Sequence, residues 1–234
     1  MKVKTIYLII LAVLLISFCI VMFSAFSNIT AHTSADIDDD RITVIIDAGH
    51  GGEDGGAEVD SILEKDINLS IADKLADTLR LCGVRVTEIR DEDISVYDDS
   101  AQTLREKKVS DLKHRVEIVN GSENNILVSI HQNKFDNSAY SGAQVFYSSN
   151  NDKSRVLAES IRNSVISLIQ NDNTRELKPA NSDIYLLDNA TVPAVIVECG
   201  FLSNDEERAK LLDSGYQSEM AYSIAMGVLE YIDQ

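Results

Sequence analysis

Tryptophan is absent from this 234-residue chain, proline occurs twice and cysteine three times. So few cysteines exclude a disulfide-stapled scaffold. Cys19 falls in an apolar run near the amino terminus, which leaves Cys82 and Cys199. Cys82 closes a predicted helix and Cys199 follows a predicted strand, so a right-handed strand-helix-strand unit puts them at opposite edges of a sheet. Both are expected to be buried, inert thiols. Positive charge is scarce as well: 21 Lys and Arg stand against 38 Asp and Glu, a net charge of −17. That balance excludes nucleic acid as a partner and offers no attraction to an anionic polymer or membrane surface. Arg105, Lys107, Lys108, Lys113 and Arg115 are a local exception, which reads as a solvated helix face. No Ser/Gly/Pro-rich block separates a second module, and no self-similar period marks a repeat array.

What is present is an ordinary globular composition, 44% apolar and 25% charged, on a chain long enough for one full core. An uncharged apolar stretch runs from Ile6 to Phe23 and approaches the length that spans a hydrocarbon layer of roughly 30 Å. Lys2 and Lys4 precede it, and Asp36, Asp38, Asp39 and Asp40 follow, which predicts an inside amino terminus and an exported domain. A cleaved signal peptide is the rival reading. The stretch is long for a signal core, and Phe23-Ser24-Ala25 lacks a small residue at both cleavage positions, so an uncleaved anchor is favoured. The division expected is an anchor segment over 1–27, an acidic linker over 28–41 and a catalytic domain over 42–234.

Within that domain, apolar runs alternate with helical periodicities. Ile67, Ile71, Leu75 and Leu79 recur at four-residue steps and mark a helix over Asp66 to Cys82, stopped by Gly83. A strand is expected over Val84–Ile89, an exposed loop over Ile94–Thr103, and a second helix through Val109, Leu112, Val116 and Val119. Val145–Tyr147 reads as a strand, Leu157 to Leu168 as a helix, Ile184–Leu187 as another short strand, and Met220 to Ile232 as a terminal helix. This alternation predicts one α/β domain with a mostly parallel central sheet of about six strands, helices on both faces, and a membrane segment ahead of it.

Three apolar runs end on chemistry-bearing residues. Ile42–Ile46 precedes Asp47-Ala48-Gly49-His50-Gly51-Gly52, Ile126–Ile130 precedes His131, and Ala194–Val197 precedes Glu198. In an open α/β sheet such strand ends converge on one crevice. Two imidazoles and a carboxylate are the donor set of a catalytic zinc site with one position left open, and Glu64, opening the next helix, can be that carboxylate. A lone histidine after a strand is more often just a satisfied polar residue; two of them, each ending an apolar strand, weaken that reading. The glycines do not form a nucleotide loop, because a GxGxxG pattern begun at Gly49 needs glycine where Asp54 stands. They read instead as a tight turn leaving room for metal and substrate. Glu198 has no basic neighbour in sequence, so it needs a buried partner or a task as general base and acid. A covalent route is not expected: Ser129 is taken to point to the opposite sheet face from His131, and Cys199 lacks a nearby base.

The segments Asp47 to Ala57, Leu63-Glu64-Lys65-Asp66, Ser129-Ile130-His131-Gln132-Asn133 and Val197 to Asn204 closely resemble the zinc-dependent N-acetylmuramoyl-L-alanine amidases of the third amidase family. The resemblance runs in order from about residue 42 to 232. It implies zinc ligands His50, Glu64 and His131, a catalytic Glu198, substrate contacts at Asn133 and Arg115, and peptidoglycan as substrate. Gln132 and Lys134 replace the small residues usual in the family, and Cys199 replaces a commoner Thr or Val; these departures bear on substrate fit more than on metal binding. Lys108-Val109-Ser110-Asp111-Leu112 and the short anchored layout resemble the sporulation-specific branch that acts on spore cortex. Division amidases of the family carry an inserted inhibitory helix, for which Lys134–Ser141 is too short, so control is expected from a partner protein or from metal loading. Two alternatives stand beside this reading. His50-Gly51-Gly52-Glu53 also satisfies the H-x-x-E ligand pair of zinc carboxypeptidases, with Glu53 as ligand, and the chain can be an inactive tethered scaffold that binds glycan.

Overall fold

The apolar runs that end near His50, at His131 and at Glu198 lie side by side. They form β1 (Thr43–Ala48), β5 (Asn125–Asn133) and β8 (Ala194–Phe201), all parallel, with β5 in the centre. The register sets Asp47 beside Ser129 and His131 beside Glu198. With β4 (Arg85–Glu88), β6 (Gln144–Tyr147) and β7 (Lys178–Pro179) they make a six-stranded sheet ordered β4-β1-β5-β8-β6-β7. Only the junction of β6 with β8 is antiparallel. The computed structural model describes residues 16–18 and 41–234.

Side-chain alternation along these strands feeds two cores. Val44, Ile46, Val128, Ile130 and Val197 pack on one face beneath α1 (Glu64–Leu81), α3 (Lys153–Leu168) and α6 (Ser214–Ile232). Ile45, Leu127 and Ile196 pack on the other beneath α2 (Leu104–Val119) and the short α4 (Tyr185–Asn189). The four-residue stripe Ile67, Ile71, Leu75 and Leu79 is buried, and α1 stops at Gly83, whose φ of 80° suits glycine. Helix α2 starts at Leu104, directly after the predicted loop, at a reciprocal capping box between Thr103 and Glu106.

Several elements depart from expectation. Ile184–Leu187 is not a strand: β7 already occupies the sheet edge beside β6, and α4 instead lays Leu186 and Leu187 onto the second core. Cys82 is exposed, because the buried stripe of α1 ends at Leu79; Cys199 is buried, and both thiols are free. The hairpin of β2 (Glu58–Val59) and β3 (Ile62–Leu63), with Asp60 and Ser61 at positive φ, has no clear sequence signal; α5 (Asp205–Leu211) was not anticipated although it has one, Asn204 as N-cap before the acidic Asp205, Glu206 and Glu207. The proposed anchor, apart from a helical turn at 16–18 with Ile16 and Phe18 exposed, lies outside the described residues, as does the linker up to residue 40. Among the described residues no helix is long and apolar enough to cross a membrane.

Candidate metal centre

Three side chains from three elements meet above the strand ends. His50 lies just beyond β1, Glu64 is the first residue of α1, and His131 is near the end of β5. His50 Nε2 is 3.2 Å from Glu64 Oε2, and His131 Nδ1 is 2.9 Å from Glu64 Oε1. One potential ligand atom from each falls within 4.8 Å of the others. The two imidazole rings meet edge to face with centroids 5.0 Å apart. This closeness needs the glycine before His50: a Cβ on Gly49 would lie 2.2 Å from His131 Nε2. His50 itself has φ of 63°, a left-handed conformation that costs a non-glycine residue on the order of 1 kcal/mol.

The surroundings orient these groups. Asp54 Oδ2 accepts from His50 Nδ1 at 3.0 Å, which leaves Nε2 to face Glu64. That hydrogen bond, ahead of all other influences, holds the Asp54 carboxyl far below the usual range. Burial works against a charged His50, yet the hydrogen bonds to Asp54 and Glu64 outweigh it and raise its pKa to about 9. Glu64 accepts from Ala57 N at 2.8 Å and from Gln132 N at 3.1 Å. Burial pushes its pKa up, but the hydrogen bonds from both histidines prevail and keep it ionised. Gln132 donates to Asn68 Oδ1 at 3.2 Å, and Asn68 in turn donates to Glu64 Oε1 at 3.3 Å.

Glu198 faces the same spot from β8. Burial raises its pKa to about 7, opposed by the charges of His131 and His50 and assisted by that of Glu64. Its Oε2 is buried and has no hydrogen-bond partner among the described residues. A buried carboxylate oxygen without a partner is costly unless something outside the chain satisfies it. With two imidazoles and a carboxylate converging beside it, the donor set fits a zinc ion and its open position. His50, His131 and Glu198 line a cavity of about 480 Å³; Leu104, Leu112, Leu186 and Ile196 form its apolar wall, and Lys107 and Lys108 its basic rim.

Other residues singled out by the sequence lie elsewhere or do something else. Glu53 is on the rim, paired with Lys107 Nζ at 2.7 Å and half exposed, whereas Glu64 sits between both histidines. Ser129 faces the same side as His131, as residues two apart on a strand must, and donates to Asp47 Oδ2 at 2.6 Å. The expectation of an opposite face was wrong, but the hydroxyl's partner is a poor base: burial pushes the Asp47 carboxyl up, and Arg115 with Ser129 outweighs that and holds it below its usual range. Burial raises the Cys199 thiol far above its usual range, so it is no nucleophile. Asn133, beyond His131, does not line the cavity around Glu198; its carbonyl accepts from Leu202 N at 2.8 Å. Arg115 borders the cavity but is only 2% exposed, and its guanidinium is engaged by Asp47 and Asp111. Asp54 was not anticipated; an aspartate four residues after a candidate ligand, in a loop that turns back, was its available signal.

Comparison with known proteins agrees in extent with this domain. The family model described as N-acetylmuramoyl-L-alanine amidase matches residues 44–230. The germination-specific N-acetylmuramoyl-L-alanine amidase of Bacillus subtilis is 35% identical over 191 residues, covering 82% of this chain and 80% of that protein. Among solved structures, the CwlD amidase from Clostridioides difficile in complex with the GerS lipoprotein superposes with a TM-score of 0.78 at 41% identity, over 82% of this chain and 99% of that one. An N-acetylmuramoyl-L-alanine amidase from Clostridium difficile 630 gives 0.72 at 31% identity, over 84% and 99%.

Proposed function

The chain belongs to the N-acetylmuramoyl-L-alanine amidase family, and from that premise we propose a zinc-dependent enzyme of spore-cortex maturation. Its reaction is hydrolysis of the amide between N-acetylmuramic acid and L-alanine in peptidoglycan. The observation that carries the site reading is the buried, unpartnered Glu198 oxygen facing the convergence of His50, Glu64 and His131. These three residues would hold the metal, which when bound would supply polarisation of the scissile carbonyl and a more acidic water.

The chain's own groups do the rest. Glu198, with a pKa near 7, accepts a proton from the attacking water and returns it to the departing alanine nitrogen. Asp54 fixes the His50 ring through Nδ1. The apolar cavity wall excludes water from one side of the substrate while the basic rim stands over its mouth. The cortex assignment rests on the germination-specific relative and the CwlD likeness. A lipoprotein partner, like the one in the CwlD complex, is the activating protein we propose. The segment Ile6 to Phe23 tethers the enzyme to the membrane with its catalytic domain on the wall side.

Mass spectrometry of purified peptidoglycan incubated with the protein and zinc tests the reaction. Muramic acid freed of its peptide is the expected product; peptides shortened from their carboxyl ends support carboxypeptidase chemistry instead, and unchanged material supports a scaffold. Metal content distinguishes the ligand sets. Glu64→Ala, His50→Ala or His131→Ala should lose zinc and activity, while Glu53→Ala should keep the metal. The opposite pattern for the two glutamates overturns the assignment.

A further inference from the structure

We infer that Arg115 is a positioning residue for the ligand His50 and not a contact to glycan or peptide. The inference rests on the zinc reading above. Its first support is that every donor of the guanidinium is occupied. Nε donates to Asp111 Oδ2 at 2.6 Å, and Nη1 donates to Asp47 Oδ1 and to the carbonyl of Ala48 at 3.2 Å. Nη2 donates to the carbonyl of His50 at 2.9 Å and, at 3.4 Å, to Asp111 Oδ1. An arginine has five N–H groups in a fixed fork, and here five contacts use them. None is left for a substrate.

The second support is what the fork holds. His50 stands in the left-handed region, φ 63°, where an ordinary side chain does not rest without restraint. Three successive carbonyls turn away from the sheet at this bend, and arginine takes all three. Arg115 reaches those of Ala48 and His50, while Arg90 reaches those of Ala48 at 2.8 Å and Gly49 at 3.1 Å. Asn68 Nδ2 adds a bond to the Gly49 carbonyl at 3.1 Å. Both arginines are 2% exposed, so water does not compete for these acceptors.

The third support is that Arg115 is itself anchored. Asp47 on β1 and Asp111 on α2 neutralise it, and Asp47 is fixed by Ser129 on β5. A continuous path therefore runs from the strand that carries His131, through Ser129, Asp47 and Arg115, to the backbone of His50. It sets the separation of the two histidine ligands, a separation that the side chains of His50 and His131 do not set by themselves. Lysine cannot replace this fork, because an ammonium is a point charge without planar, divergent donors.

The test is zinc affinity, measured by competition with a chromophoric chelator on the full chain. Arg115→Lys should keep the charge against Asp47, lose the grip on the His50 carbonyl and weaken zinc about 10- to 100-fold, the usual cost of losing a group that orients a ligand. Asp111→Asn should shift affinity the same way by less. Val228→Ala, a buried change in the α6 core far from these contacts in sequence, should lower the melting temperature and leave zinc affinity unchanged, which separates positioning from general destabilisation. Folded Arg115→Lys with wild-type zinc affinity overturns the inference, and so does a raised KM for muropeptide at unchanged zinc affinity, which would mark a substrate contact. Should Arg115→Lys fail to fold, unchanged affinity in Asp111→Asn overturns it. Wild-type protein that takes up no zinc overturns the metal reading and this assignment with it.

Discussion

In the proposed reaction Glu198 accepts and then releases a proton in one turnover, and burial gives it a pKa near 7 that suits both steps. Glu198→Gln preserves shape and removes the exchangeable charge, so kcat should fall by about 10²-fold or more with zinc content unchanged. Near-normal turnover in that variant would sink the role. His50 supplies a second test, in metal-free protein. Its pKa is raised from 6.5 to about 9, so the stabilisation it contributes is fully present below pH 6.5 and is lost as pH rises through 9. Asp54 and Glu64, both depressed, are ionised throughout that window in folded and unfolded chain alike, while Glu198, raised to about 7, adds a decline of its own only at the window's lower edge. The urea midpoint of chelator-treated protein should therefore decline from pH 6.5 to 9, and His50→Gln should flatten the decline. The four principal residues were legible because each follows an apolar run or opens a helix. The task of Arg115 was not, because its partner Asp47 is 68 residues away in the chain and periodicity carries no information on that pairing.

At the scale of elements, long periodic segments declared themselves and short ones did not. The four-step stripe of α1 and the apolar run of β8 depend on many residues acting alike, so a single misread position changes little. In α4, five residues settle between helix and strand according to which edge of the sheet is free, and β7 decides that from elsewhere. The packing of α6 on α3 is another fact invisible to local pattern. Gly227 lies in the middle of α6, where alanine is ordinarily the better helix former by roughly 0.5–1 kcal/mol. Here a Cβ would sit 2.4 Å from Ile161 Cα and 2.8 Å from the Ser160 carbonyl oxygen, both backbone atoms of α3 that no rotamer change can move. Gly227→Ala should thus destabilise, by about 1–3 kcal/mol, as overpacked cores do. Chemical denaturation that finds the variant more stable than the parent would show that the two helices are free to part.

Taken whole, the molecule carries a net charge of −17 and acts, by family, on an anionic wall polymer, and the proposed tether sets it beside an anionic membrane. Long-range electrostatics therefore oppose its approach to either, and the basic rim of Lys107 and Lys108 is too small to reverse that at physiological ionic strength, where screening sets in within roughly 8 Å. On the proposed reading, retention at the membrane has to come from apolar contact. Ile6 to Phe23 offers eighteen consecutive uncharged residues for it, behind Lys2 and Lys4 on the side that the charge pattern predicts to stay inside. Hydrophobic insertion and electrostatic adsorption respond differently to salt, since added salt weakens the second and leaves the first intact. Fractionation should accordingly find the full-length protein with membranes, retained through a high-salt wash and released by detergent. A mature form beginning near Ser27, recovered entirely in the soluble exported fraction, would show that the segment is a cleaved signal and that a partner or the substrate itself does the tethering.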